Sequence, residues 1–424
     1  LLLSKVSKVG YFRPIINDYP HGEKDYHIDR MLSYFNLEME YKEAYGFTMS
    51  QVVKYKNRGQ EARLIDQIIA KYKEIESRFD AVLVEGSDFA GKGVAFEFDL
   101  NVEVAKNLSI PTILVSSAQG KDIKDAVSNL DLAVKTYAER DVRVQAVFMN
   151  RVEGNDCVIM KEEMEKVIPA ETAIGIIPEI QKLSSPTIRE IHEIIGGEIL
   201  LGESFLYKQA DKFEVGAMQL RNFLDRVEEN SLIITPGDRS DIILGALQAN
   251  ASANYPNISG ILLTGGIAPE KQILKLIEGL PNIVPIILVE DVTFVAANKI
   301  GNVKPKIRSG DTRKIELSIS AFEEYVDTEF LIEKFKNFST NVMTPRMFQY
   351  NLMTKAKSSK KHIVLPEGTD ERILLAAVQL VEQNVVDITL LGKEDEILAK
   401  AAKIGVKIEE GIKNTLDAGI SPGF

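Results

Sequence analysis

Short apolar strands alternate with longer helical stretches along most of this chain, and this alternation constrains the fold more than any other feature. In the first 200 residues, runs rich in β-branched and aromatic residues occur at Val9–Ile15, Ala81–Val84, Thr112–Val115, Val144–Met149 and Ile174–Ile177. Apolar residues recur at helical spacing in Ala62–Phe79, Phe96–Leu108 and Asp122–Arg140. The pattern predicts an α/β fold, in which a parallel sheet carries helices on both faces. Since such sheets bind ligands beyond the carboxyl ends of their strands, we expect functional residues in the loops after Val84, Val115 and Asn150.

The chain has 424 residues, which is more than one ordinary core holds, so we predict a multidomain protein. A second series of strand–helix units starts near Leu206, and the polar run Ser339–Asn341 precedes a third. We therefore predict three α/β domains, at residues 1–205, 206–325 and 340–424.

Charge and composition exclude several functional classes. Acidic residues outnumber basic residues by 62 to 51, so there is no overall positive field to attract nucleic acid or anionic lipid. No run of about 18 apolar residues is present to span a bilayer. The lone cysteine, Cys157, excludes an internal disulfide, and the four histidines lack metal-ligand spacing. We predict a soluble cytoplasmic protein without a metal site, in which Cys157 and His362 are structural.

The loop Gly86–Gly93 has the sequence GSDFAGKG and follows an apolar strand. It keeps the G-x-x-x-x-G-K spacing of a phosphate-binding loop, but Gly93 replaces the Ser or Thr that would hold Mg²⁺. An ordinary strand-to-helix loop is the simpler interpretation.

Residues 343–391 read MTPRMFQYNLMTKAKSSKKHIVLPEGTDERILLAAVQLVEQNVVDITLL. The pattern predicts a helix at Arg346–Lys357 that begins with Pro345, a buried strand at His362–Leu365, a turn at Pro366–Gly368 and a helix at Glu371–Gln383. This order resembles the opening of the acyltransferase domain of phosphate acetyltransferases. The resemblance assigns residues 340–424 to the start of that domain.

Arg372 lies in the first turn of the last of these helices, beside the carboxyl end of a strand. A cation at this place is positioned to meet a phosphorylated ligand. The resemblance implies that Arg372 contacts the coenzyme A or phosphate side of the substrate site. Alternatively, Arg372 pairs with Glu367 or Asp370 and fixes the turn.

The first domain carries, in order, VGYFRPI, VLVEGSD, NVEVAKNL, PTILVSS and VFMNRV. This series resembles the dethiobiotin synthetase-like domain at the amino end of long phosphate acetyltransferases, a doubly wound fold of the P-loop type. The resemblance implies a P-loop upstream of Leu1 and places Glu85 at the acidic position that faces Mg²⁺ and phosphates in active relatives. A carboxylate suits a hard cation. Use of this domain for regulation or assembly is the alternative.

The middle domain contains TPGDRSD at Thr235–Asp241 and then ILLTGG, which resemble the DRTGG domain. The turn presents Asp238 and Arg239 at the amino end of a helix, where backbone N–H groups receive anions. Alternatively, Asp241 caps helix Ile242–Ala251 and Asp238 pairs with Arg239.

The resemblance covers nearly the whole chain and implies the reaction acetyl-CoA + phosphate ⇌ acetyl phosphate + CoA, with coenzyme A as substrate and no cofactor. It also implies a homo-oligomer in acetate metabolism. This chemistry needs a base, oxyanion donors and phosphate-binding arginines. We expect the catalytic residues beyond Phe424, which would make this chain an inactive fragment. An ATP-dependent synthetase of the dethiobiotin or cobyrinate type and a non-catalytic regulatory or assembly protein remain alternatives.

Overall fold

The computed structural model describes residues 8–20, 23–87, 94–280, 283–303, 305–336, 343–406 and 412–415. These residues form an α/β architecture with predominantly parallel sheets, as the alternating pattern predicted. Among them, no helix combines the length and apolar character needed to cross a bilayer.

The first unit runs from strand β1 to helix α8. Its elements are β1 (Val9–Ile16), α1 (Tyr26–Tyr34), β2 (Tyr45–Thr48), α2 (Met49–Asn57), α3 (Glu61–Glu76), β3 (Ala81–Val84), α4 (Val94–Leu108), β4 (Thr112–Ser117), α5 (Ile123–Glu139), β5 (Val144–Val152), α6 (Cys157–Val167), β6 (Ala173–Pro178), α7 (Gln181–Ser184) and α8 (Ile188–Ile195). Its strands form two separate parallel sheets, ordered β2-β1-β3 and β4-β5-β6, rather than the single sheet we expected. Strands β3 and β4 line one cleft between these sheets.

Strand β1 lies in the core of the first unit because almost every residue in it is apolar. Phe12 and Ile15 pack against the apolar face of α3, which includes Leu64 and Ile68. Arg13 is also fully buried in β1, so this strand carries one charge into the core.

The middle unit runs from β7 to α12. Its elements are β7 (Glu198–Leu201), β8 (Lys212–Val215), α9 (Leu220–Leu224), β9 (Ser231–Pro236), α10 (Ser240–Ala251), β10 (Ile258–Thr264), α11 (Lys271–Glu278), β11 (Ile286–Leu288) and α12 (Thr293–Gly301). They form a sheet of order β7-β11-β10-β9-β8, parallel except for the antiparallel edge strand β7. The sheet thus includes a strand that lies ahead of residue 206, the predicted start of this domain.

Helices cover both faces of the middle sheet, which explains why β9 and β10 are buried along almost their whole length. Ile233 and Ile261 pack with Ile242 of α10 on one face. Leu232 packs with Ile188 of α8 on the other face, so the last helix of the first unit also contributes to the middle core.

Three further helices connect the middle unit to the end of the chain, namely α13 (Thr312–Tyr325), α14 (Thr328–Lys336) and α15 (Pro345–Ser358). Helices α13 and α14 fold back onto the first unit, where Phe322 meets Phe148 edge to face at 5.4 Å between ring centroids. Helix α15 packs on α3 through Met347, and Arg346 Nη1 lies 2.8 Å from Asp66 Oδ1.

The third unit adds β12 (Lys361–Leu365), α16 (Glu371–Glu382), β13 (Val386–Leu391), α17 (Glu394–Lys403) and β14 (Ile412–Thr415). The strands are parallel, in the order β12-β13-β14. The prediction of a buried strand at His362–Leu365 was wrong. Strand β12 is at the edge of its sheet, and Ile363 and Val364 are 40% and 52% exposed. His362 Nε2 lies 2.8 Å from Thr389 Oγ1 on the neighbouring strand.

Candidate functional site

The four predicted site residues occupy three places, each beyond the carboxyl end of a parallel strand. Glu85 follows β3, Asp238 and Arg239 follow β9, and Arg372 follows β12. The three strands belong to three different sheets, so the structure gives three candidate sites.

Beside Glu85, the first unit contains a buried ion pair that sequence reasoning missed. Arg13 Nη1 lies 2.5 Å from Asp25 Oδ2, and both side chains are fully buried. Asp25 is also the N-cap of α1, since its Oδ1 accepts hydrogen bonds from the backbone N–H groups of His27 and Ile28. One carboxylate therefore neutralises the charge in β1 and fixes the start of α1. The sequence feature that could have predicted this ion pair is the arginine within the apolar run VGYFRPI, since a charge in a buried strand needs a partner.

Glu85 joins this pair to form a network of five side chains, which we call the Glu85 network: Tyr11, Arg13, Asp25, His27 and Glu85. The Tyr11 hydroxyl donates to Glu85 Oε2 at 2.5 Å. His27 Nδ1 and Arg13 Nη2 lie 2.8 Å and 3.9 Å from Glu85 Oε1. The carboxylate already has these neighbours, so a cation that bound it would compete with them.

The surroundings of Glu85 keep it ionised. Burial raises the pKa of its carboxyl, but the hydrogen bond and charge of His27, the charge of Arg13 and the Tyr11 hydroxyl together lower that pKa to about 2. Burial beside this carboxylate raises the pKa of the Tyr11 phenol, which stays protonated and donates. In the described part of the chain, no group of three His, Cys, Asp or Glu side chains is arranged to hold a metal ion. Metal contact by Glu85 stays a prediction.

We expect Glu85 to make the first unit sensitive to acid. Because folding lowers the pKa of Glu85 from 4.5 to about 2, its ionised form contributes stability above pH 4.5. That contribution is lost as the pH falls from about 4.5 to about 2. The melting temperature of Glu85→Gln should therefore be lower than that of the unsubstituted protein at pH 7, and the two temperatures should become equal near pH 2. The exposed Glu38 gives a matched control, Glu38→Gln, with little difference at either pH. A difference in melting temperature between Glu85→Gln and the unsubstituted protein that stays constant from pH 7 to pH 2 would contradict this expectation.

The loop that resembles a phosphate-binding loop can be followed only in part. Gly91, Lys92 and Gly93 lie outside the described residues. Gly86 lies within them, and its carbonyl oxygen accepts a hydrogen bond from Arg13 Nη2 at 3.3 Å. The start of this loop thus contacts the Glu85 network.

In the turn after β9, Arg239 binds Asp241 rather than Asp238. Its Nε and Nη2 each lie 2.9 Å from an oxygen of the Asp241 carboxylate. Asp241 lies in the first turn of α10, which begins at Ser240, so it is not the N-cap residue that the alternative made it. The pairing of Asp238 with Arg239 in that alternative was wrong, because Arg239 pairs with Asp241. Arg239 also donates to the carbonyls of Ala217 and Met218, which ties the loop after β8 to this turn.

Asp238 remains exposed beside this pair. Since an anion at the turn would have to draw Arg239 away from three internal acceptors, Arg239 has a structural role in this conformation. Ligand contact by Asp238 and Arg239 stays a prediction.

In the third unit, Arg372 contacts Asp370 and is otherwise open to solvent. Its Nη2 lies 3.2 Å from Asp370 Oδ2, and its side chain is 89% exposed. Asp370 is the N-cap of α16, because its Oδ1 accepts from the backbone N–H groups of Arg372 and Ile373. The hydrogen bond from the Arg372 side chain lowers the pKa of the Asp370 carboxyl. An exposed pair of this kind is weak, so the guanidinium can leave Asp370 for a phosphate at little cost.

Family models match three successive parts of the chain. The AAA domain matches residues 1–187, the DRTGG domain matches residues 190–303, and phosphate acetyl/butaryl transferase matches residues 347–418. Glu85 lies in the first match, Asp238 and Arg239 in the second, and Arg372 in the third.

Curated relatives align along nearly the whole chain. A phosphate acetyltransferase of Nitratidesulfovibrio vulgaris is 36% identical over 431 residues, covering 100% of this chain and 61% of that protein. A phosphate acetyltransferase of Synechocystis sp. is 37% identical over 399 residues, covering 94% of this chain and 57% of that protein. The chain thus spans about 60% of the length of these relatives.

Among solved structures, the CBS and DRTGG domains of the regulatory region of a Clostridium perfringens pyrophosphatase align at 16% identity. The alignment covers 51% of this chain and 89% of that chain, with a TM-score of 0.25.

Proposed function

The chain belongs to the phosphate acetyltransferase family in sequence and domain order, and on that premise we propose that the protein catalyses acetyl-CoA + phosphate ⇌ acetyl phosphate + CoA. The observation that carries this proposal is the 36% identity to a phosphate acetyltransferase across all of this chain. The match of residues 347–418 to phosphate acetyl/butaryl transferase supports it independently.

The proposed reaction transfers an acetyl group from sulfur to oxygen. A phosphate oxygen attacks the thioester carbon, the C–S bond breaks, and the thiolate of coenzyme A takes up a proton. The step needs an acid–base group for this proton, donors for the oxyanion and cations that hold the phosphate near the thioester. We propose Arg372 as one of these cations, because it follows the carboxyl end of β12 and its guanidinium is accessible.

Phosphate binding by Arg372 predicts a specific kinetic effect. Arg372→Ala removes a charge-assisted contact and should raise the Michaelis constant for phosphate or acetyl-CoA about ten- to a hundred-fold. Arg372→Lys should recover only part of this loss, because lysine keeps the charge but lacks the planar two-donor geometry. The measurement is steady-state kinetics with each substrate varied in turn.

A thermal melt of the same variants separates binding from a role in the turn. If Arg372 only braces Asp370, Arg372→Ala lowers Tm and leaves both Michaelis constants unchanged, which would remove Arg372 from the proposed site. Lys393 provides a control, since it is 75% exposed and pairs with Glu396 in the same unit. Lys393→Ala should change neither Michaelis constant.

We also propose that the protein works in the cytoplasm as a homo-oligomer and takes part in acetate metabolism. A single cysteine and an acidic composition are compatible with a reducing, aqueous compartment. Sedimentation at several protein concentrations tests the oligomer, and a purely monomeric protein would contradict it.

The test of the proposed function is thiol release from acetyl-CoA with and without phosphate, measured on the natural protein rather than on these 424 residues alone. Release that depends on phosphate and is matched by acetyl phosphate is the expected result. Release at the same rate without phosphate would indicate a thioester hydrolase. A folded protein that releases no thiol under either condition would overturn the proposal.

A further inference from the structure

Strand β8 is the most open strand of the middle unit. It lies at one end of the sheet, where β9 pairs with one side of it and no described strand pairs with the other. Three of its four residues are exposed, whereas in β7, at the opposite end of the sheet, only Glu198 is exposed. Native proteins usually pair or cover such an edge, because it attracts further strands. The free side of Lys212–Val215, which we call the β8 edge, is therefore a candidate interface.

Backbone hydrogen bonds determine which residues face the free side. The backbone N–H of Gly216, the residue after β8, donates to the carbonyl oxygen of Ile234 in β9 at 2.8 Å. In a parallel pair, alternate residues direct their N–H and C=O groups to opposite sides of the strand. Glu214 therefore also faces β9, and Phe213 directs its N–H and C=O groups away from β9. An antiparallel strand can exchange two hydrogen bonds with Phe213.

The side chains along the β8 edge suit pairing with an identical strand. Lys212 and Glu214 project from one face of the sheet, and Phe213 projects from the other. Charged side chains at a strand edge often prevent pairing, because like charges directly opposite each other repel. Here the two charges have opposite signs and flank Phe213 symmetrically. An antiparallel copy of β8 centred on Phe213 places Lys212 of each copy opposite Glu214 of the other.

The surroundings of Glu214 within one chain favour such a partner. Among the described residues Glu214 has no ion-pair partner, since Lys212 pairs with Glu228 instead. Partial burial raises the pKa of the Glu214 carboxyl, and the charge of Glu228 raises it further, against a smaller opposing effect of Arg226. A cation close to Glu214 would stabilise its ionised form. Lys212 of a second copy would supply that cation.

We propose that two copies of this chain pair through their β8 edges, antiparallel about a two-fold axis at Phe213, and so join their middle sheets into one continuous sheet. The proposal rests on the homo-oligomer proposed above and names its interface. The contact is self-complementary, because the axis generates the Lys212–Glu214 pair twice. Phe213 exchanges backbone hydrogen bonds with Phe213 of the second copy. The charged pairs then occupy the adjacent non-hydrogen-bonded positions, where opposite side chains are closest.

Disulfide formation at the two-fold axis tests the proposal in the natural protein. Phe213→Cys places two thiols opposite each other, with Cα atoms about 5.5 Å apart, which is within the range that a disulfide bridges. Under mild oxidation we expect a covalent dimer, detected by denaturing electrophoresis without reductant. The unsubstituted protein, which retains Cys157, gives the background.

Leu276→Cys is the matched control for accessibility. Leu276 is 55% exposed and Phe213 is 37% exposed, so random collisions would cross-link the control at least as fast. Leu276 lies in α11, which connects β10 to β11 and not to the β8 edge. We expect Leu276→Cys to cross-link at least about ten-fold more slowly, because only Phe213→Cys holds its thiols at a high effective concentration.

Charge reversal tests the proposed register. Lys212→Glu or Glu214→Lys, each added to Phe213→Cys, places like charges opposite each other twice and should slow cross-linking at least about ten-fold. The two reversals together restore opposite charges, so the rate should return to within about two-fold of that of Phe213→Cys alone. This recovery would also show that the reversed side chains leave the protein folded.

Three results would overturn the proposal. If the protein sediments as an oligomer but Phe213→Cys cross-links no faster than Leu276→Cys, the oligomer forms through another surface. Cross-linking that ignores the single reversals, or that the double reversal does not restore, would exclude this register. A protein that stays monomeric would overturn the interface and the homo-oligomer together, whereas acetyl transfer is tested separately by thiol release.

Discussion

Replacement of Gly237 by alanine is expected to disrupt the middle unit. A Cβ atom at Gly237 would lie 1.6 Å from the carbonyl oxygen of Ile267 and 2.7 Å from its carbonyl carbon. These are backbone atoms of the loop after β10, so no side-chain rotation relieves the clash. The turn after β9 or the loop after β10 must move, and both continue buried central strands. We expect a loss at or above about 3 kcal/mol, the upper end of ordinary overpacking.

Gly301 at the end of α12 offers the matched control. A Cβ atom there meets nothing within 4 Å, and the residue is helical. Gly301→Ala should leave stability unchanged or raise it by up to about 1 kcal/mol, since alanine favours the helix. Denaturant unfolding of both variants, followed by circular dichroism, measures the difference. Equal midpoints for Gly237→Ala and Gly301→Ala would contradict the close contact of the two loops.

The second large effect is expected for Asp25→Asn. Asparagine keeps an N-cap acceptor for α1 but removes the charge 2.5 Å from the buried guanidinium of Arg13. Loss of one partner from a buried ion pair costs about 3–5 kcal/mol, because the remaining charge stays in a poorly solvated place. The measurement is the unfolding midpoint of the first unit in denaturant, with intrinsic tyrosine fluorescence as the probe.

Asp370→Asn is a close control, since Asp370 is also an N-cap that pairs with an arginine. Its partner Arg372 is 89% exposed, whereas Arg13 is fully buried. We expect Asp370→Asn to shift Tm by no more than about 2 °C. If the two substitutions have the same small effect, the Arg13–Asp25 pair does not stabilise the first unit.

Local sequence patterns predicted most elements of the fold, because apolar spacing determines which short segments become strands or helices. Strand β3 at Ala81–Val84 has the predicted bounds. The pairing of strands was harder to predict, since it depends on contacts between distant residues. Two features of strand pairing were not predicted for this reason, namely the absence of pairing between β3 and β4 and the antiparallel orientation of β7. Burial of β12 was overestimated because an apolar run does not reveal whether another element covers it.

In the candidate sites, too, the sequence predicted the position of a residue better than its contacts. The sequence placed Arg372 in the first turn of a helix and offered Asp370 as one of two possible partners, and the structure selects Asp370 over Glu367. Arg239 pairs with Asp241 and not with Asp238, a choice of partner that sequence spacing alone could not decide. The Glu85 network was missed because Arg13, Asp25 and Glu85 come from separate segments that only the folded chain brings together.

Formation of acetyl-CoA from acetyl phosphate and coenzyme A is the most direct test of the proposed function. The natural protein, purified without nucleotides, is mixed with both compounds, and thioester formation is followed by absorbance. We expect thioester to form without ATP and to decrease again when excess phosphate is added, since the reaction is reversible. A folded protein that forms no thioester, or forms it only when ATP is present, would contradict acetyl transfer between coenzyme A and phosphate.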